Sequence, residues 1–512
     1  MIYEYSWVHG NLASNALLDE MAELYSKHYG TWSALSPTNP GQPIRLSVSR
    51  LRAWLTPESK IALAQLGDRI VGYAIAVQAK VRDYGVISWI TQLVVHEEHR
   101  RQDVGKTLLF SIWGFSSHFA WGLITANPFA VRALEKATRR RCASGRIARN
   151  RRKLMSLGAE HVPYVTAATP FAVTDTFSRI NTQFYLDHSE LETMLAAVTT
   201  ETAPWTLGNI SDGWEWLAFT FHDQTEIGLT PEEIGKMLRA SDQVAKRAYS
   251  RMLLNSAHRW AQHTPEEVTW IIDYCGLAQG HSVLDLGCGN GRHVLELAAR
   301  GCTATGVDYL EHLTRAAGDQ ARSRGLSTST FIYADSRYLD LGRTYDSVIC
   351  LYDVVGSYAD DPENALILES ITRHLKPGGM ALISVMSFEL TECKAKHFFS
   401  LADEPNRLLE LQPSQTMERS GDIFNPDYYM IDRMTRIVYR KEQFAEGSEL
   451  PVQLLVRDRR YFKAEIEAMC QTAGLQVLWS RFVRSGHWDV PVKPCHDRAK
   501  EILVLCRRPE ST

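Results

Sequence analysis

The spacing of hydrophobic and polar positions changes several times along the chain, and each change predicts a different element. In the first part, helical spacing alternates with β-rich runs, and a Gly67-Asp68 pair between two such runs is typical of a hairpin. The predicted elements are a helix over 17–25, strands over 61–66, 70–77 and 86–95, and a helix over 108–115. The segment up to residue 165 therefore predicts a mixed α+β domain.

From about residue 250 the alternation of strand and helix patterns becomes regular. Strands are predicted at Ser282–Leu286, Ala304–Val307, Thr330–Tyr333, Ser347–Leu351 and Ala381–Val385, with a helix such as 362–375 between two of them. Alternation of this length predicts a parallel, doubly wound sheet. After Phe388 the loops lengthen, and the last predicted elements are antiparallel strands in 429–439 and 452–457, a helix over 463–473 and a final strand over 502–506.

The region between these parts, about 166 to 250, is rich in aromatic residues and shows one clear helix start at Thr230-Pro231. We interpret it as a connecting subdomain, and two roles stay open: lining a substrate pocket, or packing between two domains. The predicted fold class is a multidomain α/β protein. Its domains are 1–165, 166–250 and 251–508, the last doubly wound and Rossmann-like with an antiparallel final strand.

The composition of the 512 residues excludes several classes of protein. Hydrophobic residues make up 45%, charged residues 22%, and the net charge is −3, which excludes collagen-like, disordered and globally basic chains. The nine cysteines are scattered and never form a CxxC pair, which favours a reducing compartment and indicates no metal site. With no visible signal peptide and no uninterrupted apolar span, we expect a cytoplasmic, soluble protein and no membrane partner.

The clearest motif is a glycine-rich loop that follows a predicted strand and opens a predicted helix. Asp285 precedes Gly287, Gly289 and Gly291, and Asp308 stands at the end of the next strand. Glycine permits positive φ and lets backbone amides approach a ligand closely. A carboxylate in the position of Asp308 can accept hydrogen bonds from both ribose hydroxyls of an adenosine cofactor.

With these residues the sequence resembles the class I S-adenosylmethionine-dependent methyltransferases over roughly residues 250 to 508. Asp335 and Ser336 match the position where the family places a side chain against adenine, and Leu375–Gly379 matches the turn into its fifth strand. The resemblance implies S-adenosyl-L-methionine as cofactor, with Leu351 at the end of strand four in the same site.

The resemblance also implies where an acceptor would bind, namely over the strand ends, under a cap that includes the insertion from about 388 to 450. Tyr352 and Asp353 follow strand four and are the catalytic candidates. Asp353 would orient or deprotonate an amine or hydroxyl group; alternatively it caps a helix or contacts the cofactor. The acceptor is expected to be a small molecule methylated on nitrogen or oxygen.

A second motif leaves the predicted strand 86–95 and enters a helix. Its segment from Arg100 to Gly105 resembles the acyl-CoA-binding loop of the GNAT N-acetyltransferases, and 127–136 resembles a later segment of that family; together the likeness covers about residues 1 to 165. Backbone amides of such a turn hold the CoA pyrophosphate. The resemblance implies binding of acetyl-CoA or another acyl-CoA at Val95, Arg100, Arg101, Val104, Gly105, Lys106 and Asn127.

Two departures from this family pattern bear on activity. Asp103 replaces the first glycine of the loop, where its carboxylate would repel a pyrophosphate unless it turns away, and Leu134 replaces a tyrosine that protonates the leaving thiolate. Glu97 or Glu98 is the candidate general base, with solvated turn residues as the alternative. Three functions stay open: a bifunctional methyltransferase and N-acyltransferase, a methyltransferase with a degenerate GNAT-like binding module, and an RNA-modifying methyltransferase.

The RNA hypothesis depends on a basic run between residues 132 and 153, which holds ten Lys or Arg against the single acid Glu135. Such a run can bind phosphates, although a solvated helix face is its more common role. The near-neutral chain and the absence of interleaved aromatic residues disfavour nucleic acid as a partner. The oligomeric state is open.

Overall fold

The computed structural model describes residues 3–56, 59–81, 84–228, 230–255, 259–419, 421–444, 451–484 and 486–510. The chain divides into two compact units. The N-terminal unit comprises Met1–Val244 and Phe444–Leu454, and the C-terminal unit comprises Ala245–Gln443 and Leu455–Thr512. The GNAT-like loop at residues 100–105 therefore belongs to the N-terminal unit, and the glycine-rich loop at residues 287–291 belongs to the C-terminal unit.

The N-terminal unit is built on a sheet of eight described strands in the order β1-β2-β3-β4-β5-β8-β7-β6. The strands are β1 (Glu4–His9), β2 (Ser59–Leu66), β3 (Arg69–Val81), β4 (Gly85–Val95), β5 (Ala120–Thr125), β6 (Phe171–Val173), β7 (Ser178–Phe184) and β8 (Gly213–Phe221). Neighbours pair antiparallel except β4 and β5, which are parallel. The predicted hairpin at Gly67-Asp68 joins β2 to β3.

The helices of this unit are α1 (Asn15–His28), α2 (Val48–Ala53), α3 (Val104–Trp113), α4 (Pro128–Thr138), α5 (Ser144–His161), α6 (Leu191–Val198) and the first part of α7 (Pro231–Asn255). Helix α1 starts where the Ser14 hydroxyl accepts the N–H of Leu17, and it buries Leu18 and Met21 completely. Such apolar stripes pack against the sheet and form the core.

The structure differs from the predicted boundary at residue 165. Strands β6, β7 and β8 extend the same sheet, because β8 pairs with β5 along its length and buries Trp216, Phe219 and Phe221. Trp216, Phe219 and Phe221, three of the aromatic residues that suggested a connecting subdomain, are therefore core residues of the N-terminal unit. Periodicity could not reveal this, because strand partners far apart in sequence leave no local pattern.

The C-terminal unit contains a seven-stranded sheet in the order β11-β10-β9-β12-β13-β19-β18. Its strands are β9 (Ser282–Leu286), β10 (Thr303–Asp308), β11 (Ser329–Tyr333), β12 (Tyr345–Cys350), β13 (Leu375–Met386), β18 (Gln476–Val483) and β19 (Glu501–Arg507). Strand β19 runs antiparallel to both of its neighbours, and the other pairs are parallel. This confirms the predicted doubly wound sheet with an antiparallel last strand.

The helices of this unit after α7 are α8 (Thr264–Cys275), α9 (Arg292–Ala299), α10 (Glu311–Ser323), α11 (Asp361–His374), α12 (Phe388–Lys394), α13 (Thr416–Arg419) and α14 (Lys463–Thr472). The insertion after β13 adds a small sheet of β14 (Phe398–Phe399), β15 (Tyr429–Asp432), β16 (Val438–Phe444) and β17 (Val452–Asp458). The strand predicted over 429–439 is thus a hairpin of β15 and β16. Residues 420 and 445–450 of the predicted cap lie outside the described residues.

Two of the nine cysteines, Cys393 and Cys495, form a disulfide, which their separation of 102 residues gave no means to predict. The other seven cysteines are buried free thiols. Among the helices of the described residues, none combines the length and the hydropathy that a membrane span needs.

Candidate cofactor sites

The glycine loop (residues 287–291) joins β9 to α9, as predicted. Gly287, Gly289 and Gly291 all have positive φ, at 78°, 55° and 79°. A Cβ atom on Gly287 would come within 2.4 Å of Val354, and one on Gly291 within 2.5 Å of Phe331, whereas one on Gly289 would meet no atom within 4 Å. Two of these glycines therefore permit close packing, and Gly289 faces open space that a ligand can fill.

Asp308 lies beside this open space. It ends β10, is 6% exposed, and accepts the N–H of Gly289 on Oδ2 at 2.9 Å and the N–H of Leu310 on Oδ1 at 3.0 Å. Burial raises the pKa of Asp308 to about 6. A carboxylate held by backbone amides next to an open glycine matches the position predicted for a ribose-binding acid.

Asp285 provides a second buried carboxylate at the same loop. It is 3% exposed, its Oδ2 atom has no hydrogen-bond partner among the described residues, and Nδ1 of His293 lies 4.0 Å from that atom. Burial raises the pKa of Asp285 to about 7. A buried acceptor without a donor favours a ligand that brings a proton or positive charge, so these residues fit the amino and sulfonium groups of S-adenosylmethionine.

Tyr352 and Asp353 follow β12, and both have positive φ, at 60° and 68°. The Tyr352 hydroxyl donates to Glu267, and the guanidinium of Arg292 lies 4.6 Å from the centre of its ring. The Asp353 Oδ1 atom is buried without a hydrogen-bond partner, and burial followed by the nearby Asp458 charge holds the Asp353 pKa well above its usual range. Tyr352 is thus fixed by neighbours, while Asp353 retains an unsatisfied oxygen.

Glu267, which sequence reasoning missed, organises this corner of the site. It is fully buried in α8 and accepts from Arg292 at 2.5 Å and from Nε2 of His293 at 2.9 Å. Burial acts to raise its pKa, but the hydrogen bond from His293 and the charge of Arg292 outweigh burial and lower the pKa to about 2. Arg292 and His293 directly follow the glycine loop, yet Glu267 lies too far back in sequence to be connected with them.

The remaining residues predicted for this cofactor lie at the ends of β11 and β12. Both carboxylate oxygens of Asp335 accept from Arg337, whose guanidinium also pairs with Glu363 at 2.5 Å. Ser336 is 9% exposed and Leu351 4% exposed. The side chain of Asp335 is therefore engaged by Arg337, and its contact with adenine stays a prediction.

In the N-terminal unit the parallel strands β4 and β5 separate part-way along their length. They pair from Ile87 opposite Ala120 to Ile90 opposite Leu123, and both continue beyond that point. At the same place the register of β4 against β3 shifts around Thr91, which forms a β-bulge. The separation leaves an opening in the sheet, bordered by strand backbone that can bind an extended ligand.

The loop predicted to bind the CoA pyrophosphate follows this opening. Arg101 and Asp103 have positive φ, at 61° and 63°, and the first turn of α3 presents the N–H groups of Val104, Gly105 and Lys106, which have no partners within the helix. Such a helix start favours anions. The loop geometry of the GNAT pattern therefore persists although Asp103 replaces a glycine.

Asp103 does not present an uncompensated charge to the loop. Its carboxylate lies 3.2 Å from Nζ of Lys106 and 3.3 Å from Nζ of Lys236. Burial acts to raise the Asp103 pKa, but these two ammonium groups outweigh burial and hold it below its usual range. The expected repulsion of a pyrophosphate is thus offset by two cations.

Other predicted contacts of this site have local partners. The Arg100 side chain donates to the carbonyl oxygens of Val95 and His28, and Asn127 caps α4 by accepting from the N–H of Phe129. Leu134 is fully buried. An apolar core residue therefore occupies the position where the family carries its tyrosine.

Glu97 and Glu98 both lie in an exposed turn after β4. The Glu97 side chain is 67% exposed and lies 3.9 Å from Nδ1 of His28. Glu98 belongs with His96 and His99 to a group whose ligand atoms lie within 4.8 Å of one another, which the spacing of histidines did not indicate. The catalytic role of Glu97 stays a prediction.

The basic run between residues 132 and 153 is largely engaged inside the N-terminal unit. Glu135 pairs with two of its arginines, and Glu226 pairs with two more. Glu233 and Asp223 each pair with one further basic residue of the run. The paired basic residues are Arg132, Lys136, Arg139, Arg140, Arg141 and Arg146. These ion pairs account for most of the run without a nucleic-acid partner.

Both units match family models in the parts that carry these sites. Residues 283–379 match a methyltransferase domain, and residues 18–136 match the acetyltransferase (GNAT) family. The chain therefore contains a methyltransferase domain and a GNAT domain. This confirms both resemblances drawn from the sequence.

Curated proteins to which the chain is similar include methyltransferases. A ubiquinone biosynthesis O-methyltransferase of Pseudomonas savastanoi pv. phaseolicola is 32% identical over 142 residues, 26% of this chain and 59% of that protein. A cypemycin N-terminal methyltransferase of a Streptomyces species is 26% identical over 242 residues, 47% of this chain and 88% of that protein. The chain spans 35% and 59% of the length of the first two curated relatives.

Solved structures to which this chain is similar include an S-adenosylmethionine-dependent methyltransferase from Clostridium acetobutylicum. It is 16% identical, with a TM-score of 0.36, and the match covers 52% of this chain and 98% of that one.

Proposed function

We propose that this chain is a bifunctional transferase that modifies small molecules. The C-terminal unit transfers a methyl group from S-adenosylmethionine to nitrogen or oxygen, and the N-terminal unit transfers an acyl group from acyl-CoA to an amine. The observation that carries the methyl-transfer proposal is the open space at Gly289, bordered by the buried carboxylates of Asp308 and Asp285. The two relatives named for O-methylation and for N-terminal methylation support either acceptor atom.

When bound, S-adenosylmethionine supplies a methyl group on a sulfonium, which is already a good electrophile. The residues of the chain then bind and orient. Asp308 would accept hydrogen bonds from the ribose hydroxyls, and Asp285 would supply a counter-charge to the cationic groups of the cofactor. Asp353, whose pKa is raised by burial and then by the Asp458 charge, would orient the acceptor through its buried Oδ1 atom, which has no hydrogen-bond partner among the described residues.

For acyl transfer, the opening between β4 and β5 supports the proposal together with the loop at residues 100–105. The strand backbone can hold the amide-bearing arm of an acyl-CoA, and the start of α3 can hold its pyrophosphate. Lys106 and Lys236 add positive charge beside that position. The thioester would then lie at the bulge around Thr91.

One observation favours a second candidate for the N-terminal unit, a binding module that has lost catalysis. Leu134 is fully buried and offers no hydroxyl to protonate a leaving thiolate. Under this alternative the unit binds acyl-CoA but releases no free CoA thiol in the presence of amines.

Native mass spectrometry of the full chain with each donor tests the proposal. We expect one S-adenosylmethionine and one acetyl-CoA per chain, bound together, because the two sites belong to separate units. Binding of acetyl-CoA without thiol release in a colorimetric thiol assay with a panel of amines would support the binding-module alternative. If S-adenosylmethionine does not bind, the methyl-transfer proposal is wrong.

A further inference from the structure

A buried carboxylate of the N-terminal unit lies close to the opening between β4 and β5 and belongs to none of the motifs. Glu215 is on β8, where the neighbouring Trp216 pairs with Thr125, the last residue of β5. Glu215 is only 6% exposed. Its place in the register puts it at the level where β4 and β5 have already separated.

Two β-bulges aim polar groups toward this region. The register of β7 against β8 shifts between Asn181 and Phe184, and the displaced Thr182 donates its hydroxyl to Oε2 of Glu215 at 2.7 Å. On β4, the bulged Thr91 turns its carbonyl oxygen to the hydroxyl of Tyr164 at 3.1 Å. Bulges that redirect side chains are common beside binding sites.

Two tyrosines, Tyr25 and Tyr164, interact electrostatically with this carboxylate. Burial first, and the Glu215 charge second, raise the pKa of both Tyr25 and Tyr164, which shows that these phenols lie near Glu215. Tyr29 stacks on Tyr25 with ring centres 4.1 Å apart. Tyr29 and Tyr164 are partly exposed, so the cluster extends from Glu215 toward the surface.

Glu215 lacks the counter-charge that a buried carboxylate normally has. Within the described residues, Thr182 is its one hydrogen-bond donor, and no Lys, Arg or His pairs with it. Glu135, the comparable buried glutamate of this unit, binds both Arg132 and Arg141. A buried acid without a cation is disfavoured in folding, and a cationic ligand would relieve that cost.

We propose that Glu215, with Tyr25, Tyr29 and Tyr164, binds the ammonium group of a primary-amine acceptor. The carboxylate supplies the counter-charge, and the aromatic faces attract a cation. Glu215 then accepts one proton from the ammonium, so that a neutral amine with a free lone pair and a protonated carboxyl group result. This inference rests on the proposed acyl transfer, and it assigns to Glu215 the role that the sequence suggested for Glu97.

Calorimetry on the full chain tests the proposal with three amine probes: phenethylamine, lysine methyl ester and spermidine. Glu215→Gln keeps the shape of the side chain and an acceptor for Thr182 but removes the charge. Glu160→Gln, an exposed position on α5, is the matched control. We expect at least one amine to bind the parent and the control equally, and Glu215→Gln to bind it about tenfold or more weakly.

The outcomes separate this inference from the acyl-transfer proposal. Acetyl-CoA should bind Glu215→Gln as it binds the parent, since its predicted contacts do not include Glu215. If none of the three amines binds the parent, or if Glu215→Gln binds them equally well, the ammonium site is wrong even when acetyl-CoA binds. If amines bind through Glu215 but acetyl-CoA does not bind, the acyl-transfer proposal fails and the ammonium site stands.

Discussion

The two loops proposed to bind cofactors have the same local plan but different chemistry. Each follows a strand, turns through positive φ and opens a helix: the glycine loop leads from β9 to α9, and residues 100–105 lead from β4 to α3. In the first loop every positive φ belongs to glycine. In the second loop Arg101 and Asp103 adopt it, although the left-handed conformation costs a residue with a side chain about 1–2 kcal/mol.

This difference reflects what each loop must leave room for. Gly289 leaves space where a bulky adenosine can lie against the backbone, and its N–H is already used by Asp308. The other loop only has to present amides and positive charge to an anion, so side chains are tolerated if their charges are compensated. Asp103 meets that condition through Lys106 and Lys236. Close approach demands glycine, whereas attraction of charge does not.

The largest effect is expected from Asp308→Ala, which removes the carboxylate that we propose binds the ribose. Two charge-assisted hydrogen bonds at about 1.5–3 kcal/mol each predict a loss of at least about 3 kcal/mol, or roughly a hundredfold, in S-adenosylmethionine affinity. Asp319→Ala, an exposed substitution on α10, is the control. Calorimetry with both variants checks this, and an unchanged dissociation constant for Asp308→Ala would contradict our placement of the ribose.

The second effect concerns the N-terminal unit and depends on pH. Burial raises the pKa of Glu215 from 4.5 to about 7, so the folded state holds this proton more tightly than the unfolded state. The parent therefore loses stability as the pH rises from about 4.5 to about 7, by on the order of 3 kcal/mol. Glu215→Gln should match the parent at pH 4 and unfold at a higher temperature at pH 8.

Thermal unfolding at both pH values measures this difference, with Glu160→Gln as the variant that should follow the parent throughout. If Glu215→Gln lowers the unfolding temperature equally at pH 4 and pH 8, the carboxylate is an ordinary core group that depends on Thr182.

The sequence predicted what is encoded by local pattern. The five strands of the methyltransferase core, the glycine loop and Asp308 all follow from short-range periodicity and spacing, and the structure places Asp308 against Gly289.

What the sequence could not provide are contacts between distant segments. Glu267 meets the glycine-loop helix only because α8 packs beside α9, and Glu215 comes close to the opening only because β8 pairs with β5. The bulges at Thr91 and Thr182 arise from pairing register, which no single strand specifies.

A third prediction separates the packing glycines from Gly289, which we propose faces the cofactor. Gly291→Ala places a Cβ 2.5 Å from Phe331 and should destabilise the C-terminal unit by about 2 kcal/mol, from overpacking together with the strained φ. Gly289→Ala has open space, so it should lose only about 1 kcal/mol of stability but bind S-adenosylmethionine more weakly. Denaturant unfolding and calorimetry on both variants test this; equal behaviour of the two would mean that Gly289 does not face the cofactor.

The smallest effect tests the charge compensation in the other loop. Lys236→Ala removes one of the two ammonium groups at Asp103. Because this lysine side chain is 38% exposed, solvent weakens its interaction with Asp103. We therefore expect a loss of only about 0.5 kcal/mol, or two- to threefold, in acetyl-CoA affinity. Asp103→Gly in the same background should restore the affinity, because the charge that needed compensation is gone. Lys27→Ala, which removes an exposed ion pair with Glu23 on α1, is the control. Calorimetry at low salt measures all four proteins, and a failure of Asp103→Gly to rescue Lys236→Ala would mean that the lysine contacts the cofactor itself.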